Sequence, residues 1–384
     1  MNSENSISFK IFNQTDQLPQ NWNDLATENI FLSSDYLKIL EQSAPENMVC
    51  HFIGLFKNNE LAGIAISQFI DGYELNSFGN REKCLKTYFR NFIFKNFASH
   101  VLFIGNNMLT GQNAFSFSDK ITIGEGLKTL KKAAEELKII FKNKGKKIHI
   151  TTFKDFDETE INLFPTEIFN DFYQFSIQPN MVFNIDSAWK SEQDYTDSFS
   201  KKYRDQYKRA RKKAVEIKKR KLNYDEIVGN ENTIYDLYLH VAQNAPFNTF
   251  FLSKNHFSNF KHILKDKFLF YGYFLDDKMI GFNTLIKNGN AMDTYFLGYD
   301  KSVQKDKMLY LNMLYDMISY CINKNFKTIV FARTALEIKS SVGAKPEKMF
   351  GFIQHSNRII NRFLPKIFPY LEPNVVWQER NPFK

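Results

Sequence analysis

The sequence has few of the residues that staple small folds or build metal sites. Three cysteines, Cys50, Cys84 and Cys321, occur in 384 residues, none in a Cys-x-x-Cys pair. That excludes a readable disulfide framework and a cysteine zinc site, and it fits a reducing compartment. The seven histidines are scattered and no His-Glu-x-x-His occurs, so no metal is expected. His240 sits on an apolar helical pattern and reads as a structural histidine. Absence of Gly-x-x-x-x-Gly-Lys-Ser/Thr argues against a Walker-type nucleotidase, and absence of Gly-x-Ser-x-Gly against a serine hydrolase. No run approaches the ~20 apolar residues of a membrane span. The N-terminal "MNSENSISFKIFNQ" lacks the basic start and apolar stretch of a secretory signal. The expected location is cytoplasmic, with peripheral contact at the inner membrane face left open.

What is present is bulk and positive charge. Forty phenylalanines and a 43% hydrophobic content can build sizeable cores, and the length exceeds what one core usually serves, so two domains are expected. The net charge of +9 points to anionic partners without choosing among them.

A repeat runs through the chain. Residues 54–64 read "GLFKNNELAGI" and residues 272–282 read "GYFLDDKMIGF". Each is strand, polar two-residue turn, strand, with Asn58-Asn59 and Asp276-Asp277 at the turn. Residues 126–150 and 306–330 then match as an amphipathic helix, a short break and a β run. The hairpins are offset by 218 residues and the helix tails by 180, so the first copy carries about 38 extra residues within 72–125. That stretch includes the loop "GNNMLTG", which reads as a site or as a turn.

The densest charge run is "SKKYRDQYKRARKKAVEIKKRK", residues 200–221. Tyr203, Tyr207, Ala210, Ala214 and Ile217 recur at helical spacing, so the run reads as one helix with a packing face, an N-cap at Ser200 and a basic face that includes Lys202 and Arg204. A solvated face and a phosphate-binding surface both fit. No zinc, RNP or helix-turn-helix motif accompanies it, and charge alone gives only non-specific nucleic-acid binding.

Three further stretches carry chemistry. In "NAPFNTFF", Asn244 and Asn248 orient an acceptor or cap helices. In "AMDTYFLGYD", Asp293 and Tyr295 share a strand face, and either can receive or relay a proton; an ordinary edge strand fits equally. In "IVFARTALEIKSSVGAKP", Arg333 and Lys339 stand beside the end of a buried strand.

The order of these parts resembles the Fem-type branch of the GNAT acyltransferase superfamily, across about residues 30–355. The carrying residues are Ser200, Lys202, Arg204, Arg209 and Ala210 in the basic run, then Arg333, Lys339 and Gly343 in "R-T-A-x-E-I-K-x-x-x-G". The resemblance implies an α/β (α+β) fold of two tandem GNAT-like domains, each a bent mixed, mainly antiparallel sheet flanked by helices. The first would span 1–178, with its insert around 72–125. The second would span 179–384 and carry the active site and a basic amphipathic C-terminal segment.

The resemblance implies N-acyl transfer by direct attack of an amine on a thioester, with acyl-CoA or acyl carrier protein as co-substrate and no resident cofactor. The acceptor would be an amino acid, a lipid precursor or a cell-wall precursor. By position, Lys339 would lie at the reaction centre, where its replacement by alanine should spare the fold. Arg204 and Lys202 would meet an acceptor's phosphates, and Arg333 would close the preceding strand. Asp293 or Tyr295 would take the ammonium proton. Gln304 occupies the place of the pyrophosphate loop in "VQKDKML", with Lys305 and Lys307 beside it, but the loop's glycines are absent.

Two alternatives accompany this reading. One is an aminoacyl-tRNA-dependent peptidyltransferase of cell-wall precursors, disfavoured because residues 222–267 have no room for the long helical hairpin common in tRNA-using Fem ligases. The other is a non-enzymatic nucleic-acid or membrane-surface binder. The segment "SNRIINRFLPKIFPYL" mixes Arg358, Arg362 and Lys366 with Ile, Phe and Leu; membrane contact and packing on a domain are both open.

Overall fold

The computed structural model describes residues 7–72, 97–244, 248–371 and 377–384. Cys84 and residues 73–96 of the expected insert fall outside them. In chain order the first elements are β1 (Ser8–Phe12), α1 (Ser34–Ser43), β2 (Met48–Lys57), β3 (Glu60–Asp71), β4 (His100–Ile104), β5 (Phe115–Phe117), α2 (Ile123–Asn143), β6 (Ile150–Phe156) and α3 (Glu158–Asn162). Then come β7 (Tyr173–Asn184), α4 (Glu192–Asp197), α5 (Lys201–Lys213), β8 (Lys218–Lys221), α6 (Tyr224–Gly229), α7 (Glu231–Ala242) and α8 (His256–Leu264). The last are β9 (Phe268–Leu275), β10 (Lys278–Asn288), β11 (Ala291–Tyr299), α9 (Lys301–Lys307), α10 (Leu309–Asn323), β12 (Thr328–Ala332), α11 (Leu336–Ser340), β13 (Lys345–His355) and α12 (Arg358–Leu371).

The chain forms two compact units. One comprises Met1–Ile177, Phe247–Ser253 and Lys348–Asn374; the other comprises Gln178–Pro246, Lys254–Glu347 and Val375–Lys384. Two later segments therefore group with the first unit. One is the short stretch whose Thr249 accepts from Asn47 and Asn107. The other carries most of β13, which pairs with β6, and all of α12.

Each unit has the same sheet plan. In the first, β1, β2, β3 and β4 are successive antiparallel neighbours, β4 and β6 are parallel, and β13 runs antiparallel to β6. In the second, β8, β9, β10 and β11 are antiparallel neighbours, β11 and β12 are parallel, and β7 runs antiparallel to β12. A helix supplies the crossover that each parallel pair requires. In the first unit it is α2, whose Thr122–Glu125 capping box fixes its start and whose Leu127, Leu130, Ala133, Leu137 and Phe141 are buried. In the second it is α10, which buries Leu309, Leu311, Met313, Leu314, Met317 and Ile318.

The repeat extends below the level of elements. Asn58, Asn59, Asp276 and Asp277 all have positive φ, between 47° and 63°, the geometry of a type I′ hairpin turn. Both hairpins carry a register shift one strand-turn later: Ala62 is skipped in β2–β3 and Ile280 in β9–β10. Those two residues are 218 positions apart, the offset read from the sequence. One close approach is specific to the second unit. A Cβ on Gly298 of β11 would lie 2.5 Å from backbone of α7 at Leu237, so only glycine lets that helix cross the strand.

The basic run 200–221 is not one helix. It forms α5 up to Lys213 and then the edge strand β8, whose four residues are exposed. Ser200 takes the N-cap position without a side-chain cap bond. A Lys- and Arg-rich edge blocks pairing with other chains, and that use of "KKRK" is invisible to a helical-periodicity reading. Lys219 and Arg220 lie over the rings of Tyr271 and Phe274, at 4.4 and 4.1 Å.

Because both turn residues are left-handed, Asp277→Gly should leave stability unchanged or raise it. Asp277→Val should lower it by about 1–2 kcal/mol, read as the shift of the urea unfolding transition.

Candidate active site in the second unit

Strands β11 and β12 pair in parallel only from Ala291–Thr328 to Asp293–Val330. The last tie is Thr294 Oγ1 donating to Val330 O at 3.0 Å. On its other edge β11 is bulged: Asn283 faces Leu297 and Leu285 faces Thr294, so Tyr295 and Phe296 together oppose Thr284. Thr284 Oγ1 pins the bulge by donating to Phe296 O at 2.6 Å. The sheet thus forks after Asp293, where the parallel ladder between β11 and β12 ends. Bulges re-aim backbone in this way beside functional sites.

Asp293 occupies the last rung of that fork. Its side chain is buried, and Oδ2 has no hydrogen-bond partner among the described residues. Burial pushes its pKa up to about 7, and a hydrogen bond with Asn288 opposes the shift. A carboxyl poised near neutrality can take and return a proton. Tyr295, two residues on, is held by a 3.0 Å hydrogen bond between its hydroxyl and His256 Nε2, inside an aromatic group with Phe260 and Phe296. His256 is fully buried. Sequence reasoning passed over His256; the one signal for it was a histidine opening an apolar helical pattern.

Past the fork β12 ends in a strained loop. Ala332, Thr334 and Ala335 have φ of 58°, 67° and 48°, a region that a β-branched residue rarely enters. Lys339, from α11, folds back under this loop. Its Nζ donates to the carbonyls of Phe331 (2.6 Å), Ala332 (3.2 Å) and Arg333 (2.6 Å). The side chain is buried, and burial lowers its pKa to about 7; three carbonyl acceptors pull the other way, because three N–H donors exist only on the ammonium. All three donors are therefore on backbone. Lys339 thus organises the strand end, and its contacts among the described residues are with these carbonyls. Arg333 is half-buried, and burial lowers its pKa to about 10.

The basic helix α5 lies against the turn that follows α11. Gln206 Nε2 reaches Tyr315 Oη and Ser341 Oγ, both at 3.5 Å. Tyr195, just before the helix, donates to Val342 O at 2.6 Å. Gly343, at φ 106°, turns the chain where a Cβ would meet the Phe383 ring at 2.5 Å.

No family model matches the chain, and no curated protein does. Solved structures do resemble it. FemX has a TM-score of 0.51 at 12% identity, with 86% of this chain and 93% of FemX covered. A tandem GNAT protein from the clavulanic acid biosynthesis pathway has a TM-score of 0.53 at 9% identity, with 92% and 99% covered. The fold is a Fem-like tandem GNAT fold.

Within this tandem GNAT fold the first unit repeats the fork with different polar parts. Its parallel ladder ends at Ile104–Phe153, and Asp155, two residues on, is left-handed as Ala332 is. A buried lysine again sits there: Lys154 Nζ donates to Asn106 O at 3.1 Å and Leu109 O at 3.4 Å and pairs with Asp155. The "GNNMLTG" loop bonds inward. Asn106 Nδ2 donates to Tyr36 Oη at 2.7 Å, and Asn107 N to Gln68 Oε1 at 2.6 Å.

The remaining candidates of the tandem GNAT reading separate into two kinds. Arg204 Nη2 donates to Phe199 O at 2.8 Å, while its buried Nε has no partner among the described residues. Lys202 is exposed and lies over the Tyr203 ring. Arg211, not singled out from sequence, pairs with two carboxylates, Glu192 and Asp316; Asp316 also accepts from Tyr273. Gln304 and Lys305 lie on α9, a short helix in the place of the pyrophosphate loop that the resemblance implies, and Lys307 pairs with Glu216. Asn244 caps α7 by donating to His240 O at 2.5 Å. Asn248 Oδ1 accepts from Phe250 N at 3.5 Å and belongs to the first unit.

Two outcomes are expected. Lys339→Met strands three carbonyls and should lower stability by about 3 kcal/mol, measured by thermal and urea unfolding. Asp293, with its folded pKa near 7, stays protonated over a range where the unfolded chain ionises. Stability is therefore lost as pH rises from about 4 to 7. Asp293→Asn should remove that slope and exceed the parent by up to about 4 kcal/mol above pH 7.

Proposed function

We propose that the chain is an acyltransferase that moves an acyl group from a thioester donor, acyl-CoA or acyl carrier protein, to an amine. The observation that carries this reading is the fork: a buried carboxyl with its pKa near neutrality, Asp293, at the last rung of a parallel pair, where the partner strand is bulged on its other edge. Fold likeness to the tandem GNAT protein supports it and does not choose the substrates.

In this reading the amine attacks the thioester carbonyl at the fork. The C–N bond forms, main-chain N–H groups where the sheet splays receive the oxyanion, and the C–S bond breaks as the departing thiolate takes the remaining proton of the attacking nitrogen and leaves as the thiol. Asp293 takes the proton that the ammonium must lose, directly or by way of Tyr295. Lys339 acts as a positioning residue, because its ammonium sets the backbone that opens the fork. Arg333, Arg204 and Lys202 supply positive charge for an anionic group on the acceptor. Gln304 and Lys305 are the candidates for the donor's phosphates, whereas Lys307 is paired with Glu216. Asn244, which caps α7, and Asn248, which accepts locally from Phe250 N, receive no further role.

The test is thiol release from acetyl-, hexanoyl- and palmitoyl-CoA, and from the matching acyl carrier protein thioesters, against amino acids, amino sugars and phosphatidylethanolamine, with mass spectrometry of the amide. Asp293→Asn should lower kcat by about 10²–10⁴ and abolish an ionisation near pH 7 in kcat/KM. No amide from any donor, or an unchanged pH profile in that variant, removes the proposal.

A further inference from the structure

The C-terminal helix α12 presents three distinct stripes. Ile360, Leu364 and Phe368 turn inward: Leu364 is buried, and the Phe368 ring lies 4.8 Å from that of Phe175. Ile359, Phe363 and Ile367 follow at the same four-residue spacing but are 71%, 46% and 40% exposed. Arg358, Arg362 and Lys366 form the third row, exposed along the flank of the exposed apolar one. The helix is fixed in place. Asn357 Oδ1 accepts from Ile359 N at 2.9 Å, and Asn361 ties His355 N and Asp171 O at 2.8 and 3.0 Å. The exposed row is therefore not the underside of a helix still to be packed in its own unit, which already holds the inward row.

We infer that α12 docks the protein in the plane of an anionic phospholipid surface, with Ile359, Phe363 and Ile367 entering the acyl boundary and Arg358, Arg362 and Lys366 meeting the headgroups. Charge complementarity selects this occupant. A protein groove would cover an apolar stripe without requiring an unbroken cationic row beside it, and no acidic residue lies on α12 to oppose anionic lipid. No helix among the described residues is long and apolar enough to cross a membrane, so the contact is interfacial. The sequence left packing and membrane contact as alternatives; the helix does the first with one stripe and leaves another for the second.

The experiment is flotation of the full chain with vesicles of phosphatidylcholine alone and with 30% phosphatidylglycerol (roughly the anionic content that gives a strong surface potential). The chain should float with the anionic vesicles only, and high salt should release it. Ile359→Ser/Phe363→Ser/Ile367→Ser should weaken binding at least about tenfold, and each of R358E and R362E on the order of fivefold or more. These exposed positions should not alter the unfolding transition, which is measured in parallel. Failure of the parent to float, unchanged flotation of the triple serine variant, or a parent dimer that this variant dissociates would each overturn the inference.

Discussion

The second unit turns on one ammonium. Lys339 holds the carbonyls of Phe331, Ala332 and Arg333, and with them a backbone that enters the left-handed region at three of four successive positions. Each such non-glycine residue costs about 1–2 kcal/mol, so the strand end persists only where something stronger dictates it. A buried charge-assisted contact to three acceptors is strong enough, and an apolar residue there would leave those acceptors unpaired. With the end of β12 held this way, it separates from β11 after one short ladder.

The first unit meets the same demand with other residues. Its left-handed residue is Asp155, and its buried ammonium comes from the neighbouring Lys154 on the strand itself. The backbone plan of the repeat is therefore shared down to a hairpin bulge, while the polar groups that stabilise the fork are not. Backbone geometry is constrained by sheet pairing, whereas any cation that reaches the carbonyls can satisfy them. A sidechain-based search for a duplicated site would miss the correspondence.

Positive charge is divided among different tasks. Arg211 joins Glu192 and Asp316 inside the second unit, the β8 cations protect a sheet edge, and Lys201, Lys202, Lys208 and Arg209 remain exposed on α5. Within the basic run 200–221 it is this last group, with Arg204 beside it, that is placed to meet an anionic ligand. A run that reads as one surface in sequence is thus three physical environments.

The sequence by itself determined the tandem arrangement, because the hairpin turns and helix–strand tails repeat in order and the turn residues tolerate φ > 0. It also set Asp293 and Tyr295 two residues apart on a strand, the spacing that plain alternation puts on one face, with no sign of the bulge that the structure has at Tyr295 and Phe296. Only the tertiary structure decided what those residues meet. The depth of burial that raises the Asp293 pKa and the pairing of Tyr295 with His256 arise from segments far apart in the chain, and the carbonyls around Lys339, six to eight residues before it, converge on it because the chain turns back after β12. The basic run shows the same limit: its periodicity announced a helix, but whether residues 218–221 continue it or pair with β9 depends on a strand fifty residues away. Spacing encodes local geometry, and desolvation and partner choice belong to the assembled fold.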